Sequence, residues 1–289
     1  MVSLEQFEKR HDYLICIDSD GCAVDTMTVK HKHCYGPCMV AEWNLEPWRQ
    51  QILTLWDEIN LYSMTRGINR FDALTLALRE IDKQYTRIDG IPELTAWTEA
   101  APKLSESVLE TELRHNSAPI LQKALRWSYA IDRAILELPW ELRGAFPGVK
   151  EGLRAVRFWA DVAVVSSANH RVVEEEWRHY GIEDCADVLL SREAGNKLQC
   201  VAALRTLGYS EDHILMVGDS PSDRMAAEMN GVLFYPILAR HEPESWAKFP
   251  EAAERMRGGD YWEYGQRMGE KFLVNLVSES PAAVMPAQA

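Results

Sequence analysis

Apolar and polar positions change period repeatedly along the second half of the chain. Apolar residues three and four apart predict a helix over Val149–Trp159, and a continuous apolar run predicts a strand over Val162–Ser166. The alternation continues as helix Arg171–Tyr180, strand Asp187–Leu190, helix Lys197–Leu207, strand Ile214–Val217, helix Ser222–Met229 and strand Val232–Tyr235. Strand–helix repetition of this kind implies an α/β fold with a parallel, doubly wound sheet. Tyr13–Asp18 is a further apolar run that belongs with the same sheet.

The stretch between, Thr26–Ala145, reads as helical. Arg49–Glu58, Phe71–Tyr85, Leu94–Ala100, Ser105–His115 and Ile120–Leu138 carry apolar residues at helical spacing, with no strand series among them. The expected organisation is a core of residues 1–25 and 146–277 and an inserted all-helical domain of residues 26–145. Asp25–Thr28 and Gly144–Gly148 are the expected hinges, and Tyr261–Val277 a closing helix. Residues 278–289 are small, contain proline and are expected to be disordered.

Candidate chemistry sits where apolar runs stop. The first run ends in Asp18-Ser19-Asp20-Gly21, and strand geometry sends Asp18 and Asp20 to one side. Two close carboxylates need a cation, a shared proton or solvent between them. A second run ends in Gly218-Asp219, with Asp223 one helical turn further on and Pro221 suited to a helix start. Oxygen ligands from two strand ends suit Mg²⁺. A third run ends in Ser166-Ser167-Ala168-Asn169, whose hydroxyls and amide can meet phosphate oxygens at a helix start, and Lys197 can supply a fixed positive charge. Taken singly, such a serine is most often an N-cap and such a lysine solvated.

In order, Asp18-x-Asp20-Gly21, Ser166, Lys197 and Gly218-Asp219-x-x-x-Asp223 resemble the four motifs of the haloacid dehalogenase superfamily of hydrolases, over Tyr13–Asp25 and Phe146–Pro236. The resemblance implies a Rossmann-like core with Mg²⁺ at the C-terminal edge of the sheet, beneath a helical cap. It makes Asp18 the nucleophile and Asp20 the general acid, then base. Ser166 and Lys197 would hold the phosphoryl group. Asp219 would ligate Mg²⁺ with Asp18 and the Asp20 backbone carbonyl, and Asp223 would support them. Arg66-Gly67-Ile68-Asn69-Arg70 resembles a loop before a cap helix in the β-phosphoglucomutase and phosphoglycolate phosphatase branch. That likeness makes Arg70 a reader of a distal anion; the alternative is that Asn69 caps the helix and Arg70 is solvated.

The function expected is a Mg²⁺-dependent phosphatase for a small phosphorylated metabolite. A phosphomutase is the nearest alternative, since the motifs barely separate the two. Asp20 disfavours a dehalogenase and a phosphonate hydrolase. Intact Asp18, Asp20, Lys197 and Asp219 count against a non-catalytic metabolite-binding protein.

Composition narrows the setting. The chain of 289 residues is 47% apolar, enough for a sizeable core. A formal charge of −13 argues against a nucleic-acid backbone or an anionic membrane as partner. Met1–Asp12 is charged and no run approaches the roughly 18 apolar residues of a span, so a cytosolic protein with six free thiols is expected. His31, Cys34 and Cys38 match no zinc pattern, and Gly36-Pro37 should interrupt a helix there. Six of the ten tryptophans fall in the helical stretch, where interhelical packing is the expected role.

Overall fold

The computed structural model of the chain describes residues 1–278. The expected disordered tail lies outside them except for Ser278, which ends the last helix. The described residues divide into two compact units, 1–27 with 143–278 and 28–142. No helix among them is long and apolar enough to cross a membrane.

The first unit is built on five parallel strands: β1 Tyr13–Ile17, β2 Ala160–Val165, β3 Val188–Leu190, β4 Ile214–Gly218 and β5 Leu233–Pro236. Their order is β3-β2-β1-β4-β5. Alternate residues of β1 feed two separate cores, as the pleat requires. Ile15 and Ile17 join Val149, Leu153, Trp177, Trp246 and Phe249 on one face. Leu14 and Cys16 join Cys200, Val201, Leu204, Ala226 and Ala227 on the other. A strand covered on both faces is apolar at nearly every position, which is why β1 and β4 read as unbroken runs and β2 departs from one only at Asp161.

Register carries the motifs to one edge. Ile17 pairs with Val164 on β2 and Val217 on β4. Asp18 therefore leaves β1 level with Val165 and Gly218, beside Ser166 and Asp219. The Asp18 N–H continues the ladder to the Val217 carbonyl at 3.0 Å.

The helical unit has its own core, in which Trp43, Trp56, Trp97 and Trp127 are buried. Trp56 and Trp127 meet edge-on with ring centres 5.8 Å apart, and Phe71 meets Trp97 at 5.0 Å. The expected break at Gly36-Pro37 does not occur. Helical backbone runs from Met27–Lys30 through a π turn at His31–Tyr35 into Gly36–Glu42. The Gly36 N–H reaches back to the His31 carbonyl across the π turn, and Pro37 follows in the first turn of the next segment. His31 and Cys34 pack here: His31 Nδ1 accepts from the Trp56 indole N–H at 3.1 Å, and Cys34 is buried.

Candidate active site

Asp18, Asp219 and Asp223 are all buried and offer carboxylate oxygens within 4.8 Å of one another. Lys197, from the first turn of helix Lys197–Arg205, enters this group. Its Nζ lies 2.7 Å from Asp18 Oδ2 and 2.6 Å from Asp223 Oδ1. Asn196 and Gln199 form a reciprocal capping box that fixes the helix start and so aims the lysine.

Asp223 is fixed in turn. Its Oδ2 accepts from the Ser220 hydroxyl at 2.6 Å and the Ser220 N–H at 3.1 Å, at the start of helix Pro221–Asn230. This arrangement requires glycine at 218, because a Cβ there would lie 2.3 Å from Asp223 Cβ and Cγ. Asp18 Oδ1 accepts from the Ser19 N–H at 2.8 Å.

Three buried carboxylates gather around the Lys197 ammonium, and buried charge is tolerated when it is paired or neutralised. Burial pushes the Asp18 carboxyl well above the ordinary carboxylate range; Lys197 opposes that shift, and Asp223 and Asp219 add to it. Burial works against the Lys197 charge, but Asp18, Asp223 and Asp219 outweigh it and raise its pKa. A divalent cation with hard oxygen preference fits this donor set of three close carboxylates.

The remaining candidates lie in different settings. Asp20 is half-buried and its carboxylate accepts from the Thr26 hydroxyl, outside the three-carboxylate group. Gly21 takes φ +82° just after it, a conformation glycine adopts freely, and its N–H bonds the Val24 carbonyl at 2.9 Å. Ser166 is buried one residue past β2, where its Oγ accepts from the Ala168 N–H at 3.1 Å. Ser167 is exposed. Asn169 caps helix His170–His179 by accepting from the Arg171 N–H, and its amide donates to Glu193 at 2.6 Å.

Arg70 opens helix Arg70–Gln84 in the other unit, behind an Asn69 cap. It is not solvated: its Nη1 contacts Asp132 at 2.8 Å, Ser128 at 2.9 Å and Glu106 at 3.1 Å.

The haloacid dehalogenase-like hydrolase family model matches residues 113–236, which hold Ser166, Lys197, Asp219 and Asp223 but not β1. Over that segment the chain is similar to haloacid dehalogenase-like hydrolases. Among solved structures, a haloacid dehalogenase-like family hydrolase from Xanthomonas campestris aligns at 15% identity and TM-score 0.50, covering 90% of this chain and 94% of its own. A haloacid dehalogenase-like family protein from Streptococcus pneumoniae aligns at 13% identity and TM-score 0.46, covering 82% and 90%. At such identities the Xanthomonas structure shows the fold alone. No curated protein matches the chain.

Motif spacing does not reveal Thr26 or two tryptophans, Trp177 and Trp246, whose indole N–H groups reach the loop after β1. Thr26 stands six residues after Asp20 and is the one of the three that a local reading of the loop can find. The tryptophans are 158 and 224 residues from their acceptors.

Proposed function

We propose that this chain is a Mg²⁺-dependent phosphatase that releases phosphate from a small phosphorylated metabolite through an aspartyl-phosphate on Asp18. The observation that carries this reading is Lys197 Nζ placed 2.7 Å from one oxygen of a buried carboxylate at the end of the central strand. A carboxylate attacks an anionic phosphate only when charge is neutralised around both. Lys197 supplies part of that neutralisation and orients Asp18.

In the first step an Asp18 oxygen bonds to phosphorus as the bond from phosphorus to the leaving oxygen breaks. Asp20 gives its proton to that oxygen. In the second step Asp20 takes a proton from water as the water oxygen attacks the same phosphorus, returning Asp18 as a carboxylate and phosphate as product. Asp18 and Asp219, with the Asp20 backbone carbonyl, would hold the metal, and Asp223 would support them through Lys197. Bound there, Mg²⁺ supplies positive charge to the phosphoryl oxygens. Ser166, Ser167 and Asn169 lie at the β2 end, where hydroxyl, amide and helix-start N–H groups suit the phosphoryl oxygens. Six thiols without a disulfide suit a cytosolic setting.

Phosphate release across a panel of phosphorylated metabolites, with and without Mg²⁺, tests the reading. Release should require Mg²⁺ and fall by at least about a thousandfold in Asp18→Asn, because an amide is no nucleophile. The melting temperature should not drop, since the change removes one of three crowded carboxylates. Turnover retained by Asp18→Asn would refute the assignment.

A further inference from the structure

The loop that carries Asp18 and Asp20 is a tight turn. The Ser19 carbonyl accepts from the N–H groups of Cys22, Ala23 and Val24 at 3.3, 3.0 and 2.9 Å. Two tryptophans meet this turn on either side of Asp20. Trp177, fully buried on helix His170–His179, donates its indole N–H to Ser19 Oγ at 2.9 Å. Trp246, 1% exposed on helix Glu242–Gly258, donates to the Cys22 carbonyl at 2.8 Å. An indole is a donor only, so each bond has a fixed direction. Losing one leaves a buried acceptor unpaired.

The rings are also held in place. A Cβ at Gly148 would lie 3.1 Å from Trp246 Cβ, and one at Gly152 would lie 3.5 Å from the Trp246 ring. Backbone therefore lies against Trp246 where a side chain would otherwise stand. Trp246 and Phe249 pack edge-on at 5.2 Å, and Tyr261, Tyr264 and Met268 of the last helix belong to the same core.

We propose that Trp177 and Trp246 are positioning residues for Asp20, and that the C-terminal helices Glu242–Gly258 and Tyr261–Ser278 act in catalysis through Trp246. This rests on the roles given above to Asp18 and Asp20. The two indoles pin residues 19 and 22 and so limit where the carboxyl of residue 20 can stand. Proton transfer to a leaving oxygen is sensitive to such placement, since misplacement by about 1 Å costs on the order of a hundredfold.

The test is kcat/KM, which reports phosphoryl transfer to Asp18, for Trp177→Phe and Trp246→Phe against two esters. An alkyl phosphate expels an oxygen that needs Asp20's proton; p-nitrophenyl phosphate expels one that does not. The alkyl ester should lose about tenfold and the nitrophenyl ester less than about twofold, measured below the melting transitions. A purely structural role lowers both alike, through the unfolded fraction, and equal losses overturn the proposal. Hydrogen exchange in the wild type gives an answer independent of turnover and of variant folding. Both indole protons should exchange far more slowly than surface amides, and rapid exchange at either overturns the clamp. A wild type inert towards both esters, with both indoles protected, would instead count against the phosphatase reading while leaving the clamp supported.

Discussion

Gly218 shows how one missing side chain arranges several others. Asp223 can reach Lys197 only because nothing occupies the space over residue 218, where a Cβ would lie 2.3 Å from Asp223. Lys197 in turn touches both Asp223 and Asp18, so the proposed nucleophile is held through a chain of contacts that begins at a hydrogen atom. Gly218→Ala should therefore displace Asp223 and loosen Lys197. We expect kcat to fall on the order of a hundredfold, because the reacting carboxylate loses its fixed partner. The accompanying loss of stability should be about 1–3 kcal/mol, as for other overpacked cores. Steady-state kinetics and denaturant unfolding of the same preparation check both numbers, and unchanged kcat would show that Asp223 does not act through Lys197. The sequence marks Gly218-Asp219 as a strand end but gives no sign that residue 218 must make room for residue 223.

At the scale of elements, local sequence specifies the strands and non-local contacts specify the rest. Each strand of the sheet is mostly apolar, and burial on both faces is the physical reason polar residues are rare in such runs. Site residues one position past those runs, Asp18, Ser166 and Asp219, follow from register alone. What escapes is non-local or depends on backbone geometry. Asp161 lies just before the expected strand Val162–Ser166, yet it belongs to β2, is fully buried and accepts from the Arg10 and His11 N–H groups and the Tyr209 hydroxyl, at 3.0, 3.0 and 2.7 Å. The helix through Gly36-Pro37 escapes because a π turn is one of the rarer forms open to the backbone. That turn starts at His31, whose pKa is lowered to about 3, first by burial and then by Arg66, Lys30 and Arg70. A histidine kept neutral in the folded state contributes stability that is complete above its ordinary value of 6.5. It is lost as pH falls from there towards 3, because the unfolded chain takes the proton first. Asp57, raised to about 6 by burial against the opposing Lys32, works the other way: its contribution is lost as pH rises from 3.8 to 6. The wild-type profile mixes the two, so the comparison is with His31→Gln, which keeps an acceptor for Trp56. The stability advantage of wild type over His31→Gln should shrink as pH falls below 6.5, and a pH-independent difference in melting temperature would show that His31 is not held neutral.

Across the whole molecule, a net charge of −13 means that an anionic substrate meets an unfavourable field, so recognition has to come from a few local positive groups. In the first unit that group is Lys197, with the metal proposed beside it. In the helical unit Arg70 is the residue the sequence singles out for a distal anion, and the structure commits its guanidinium to protein. Asp132, Ser128 and Glu106 take Nη1, Tyr35 Oη lies 3.4 Å from Nη2, and Ser128 donates to Glu106 at 2.6 Å. These contacts join the starts of helices Arg70–Gln84 and Glu106–Glu112 to helix Pro119–Leu136. Burial works against the Arg70 charge, but Tyr35, Asp132 and Glu106 raise its pKa, so it stays charged and paired. A sequence cannot show such pairing, because the partners are 36, 58 and 62 residues away. Arg70→Ala should then act on stability first. Leaving Glu106 and Ser128 without their shared donor should cost about 1–3 kcal/mol. In the folded fraction KM should change by the same small factor for the metabolite and for p-nitrophenyl phosphate, which has no distal anion. A KM increase confined to the metabolite, with the melting temperature unmoved, would show instead that Arg70 exchanges its carboxylate partners for substrate.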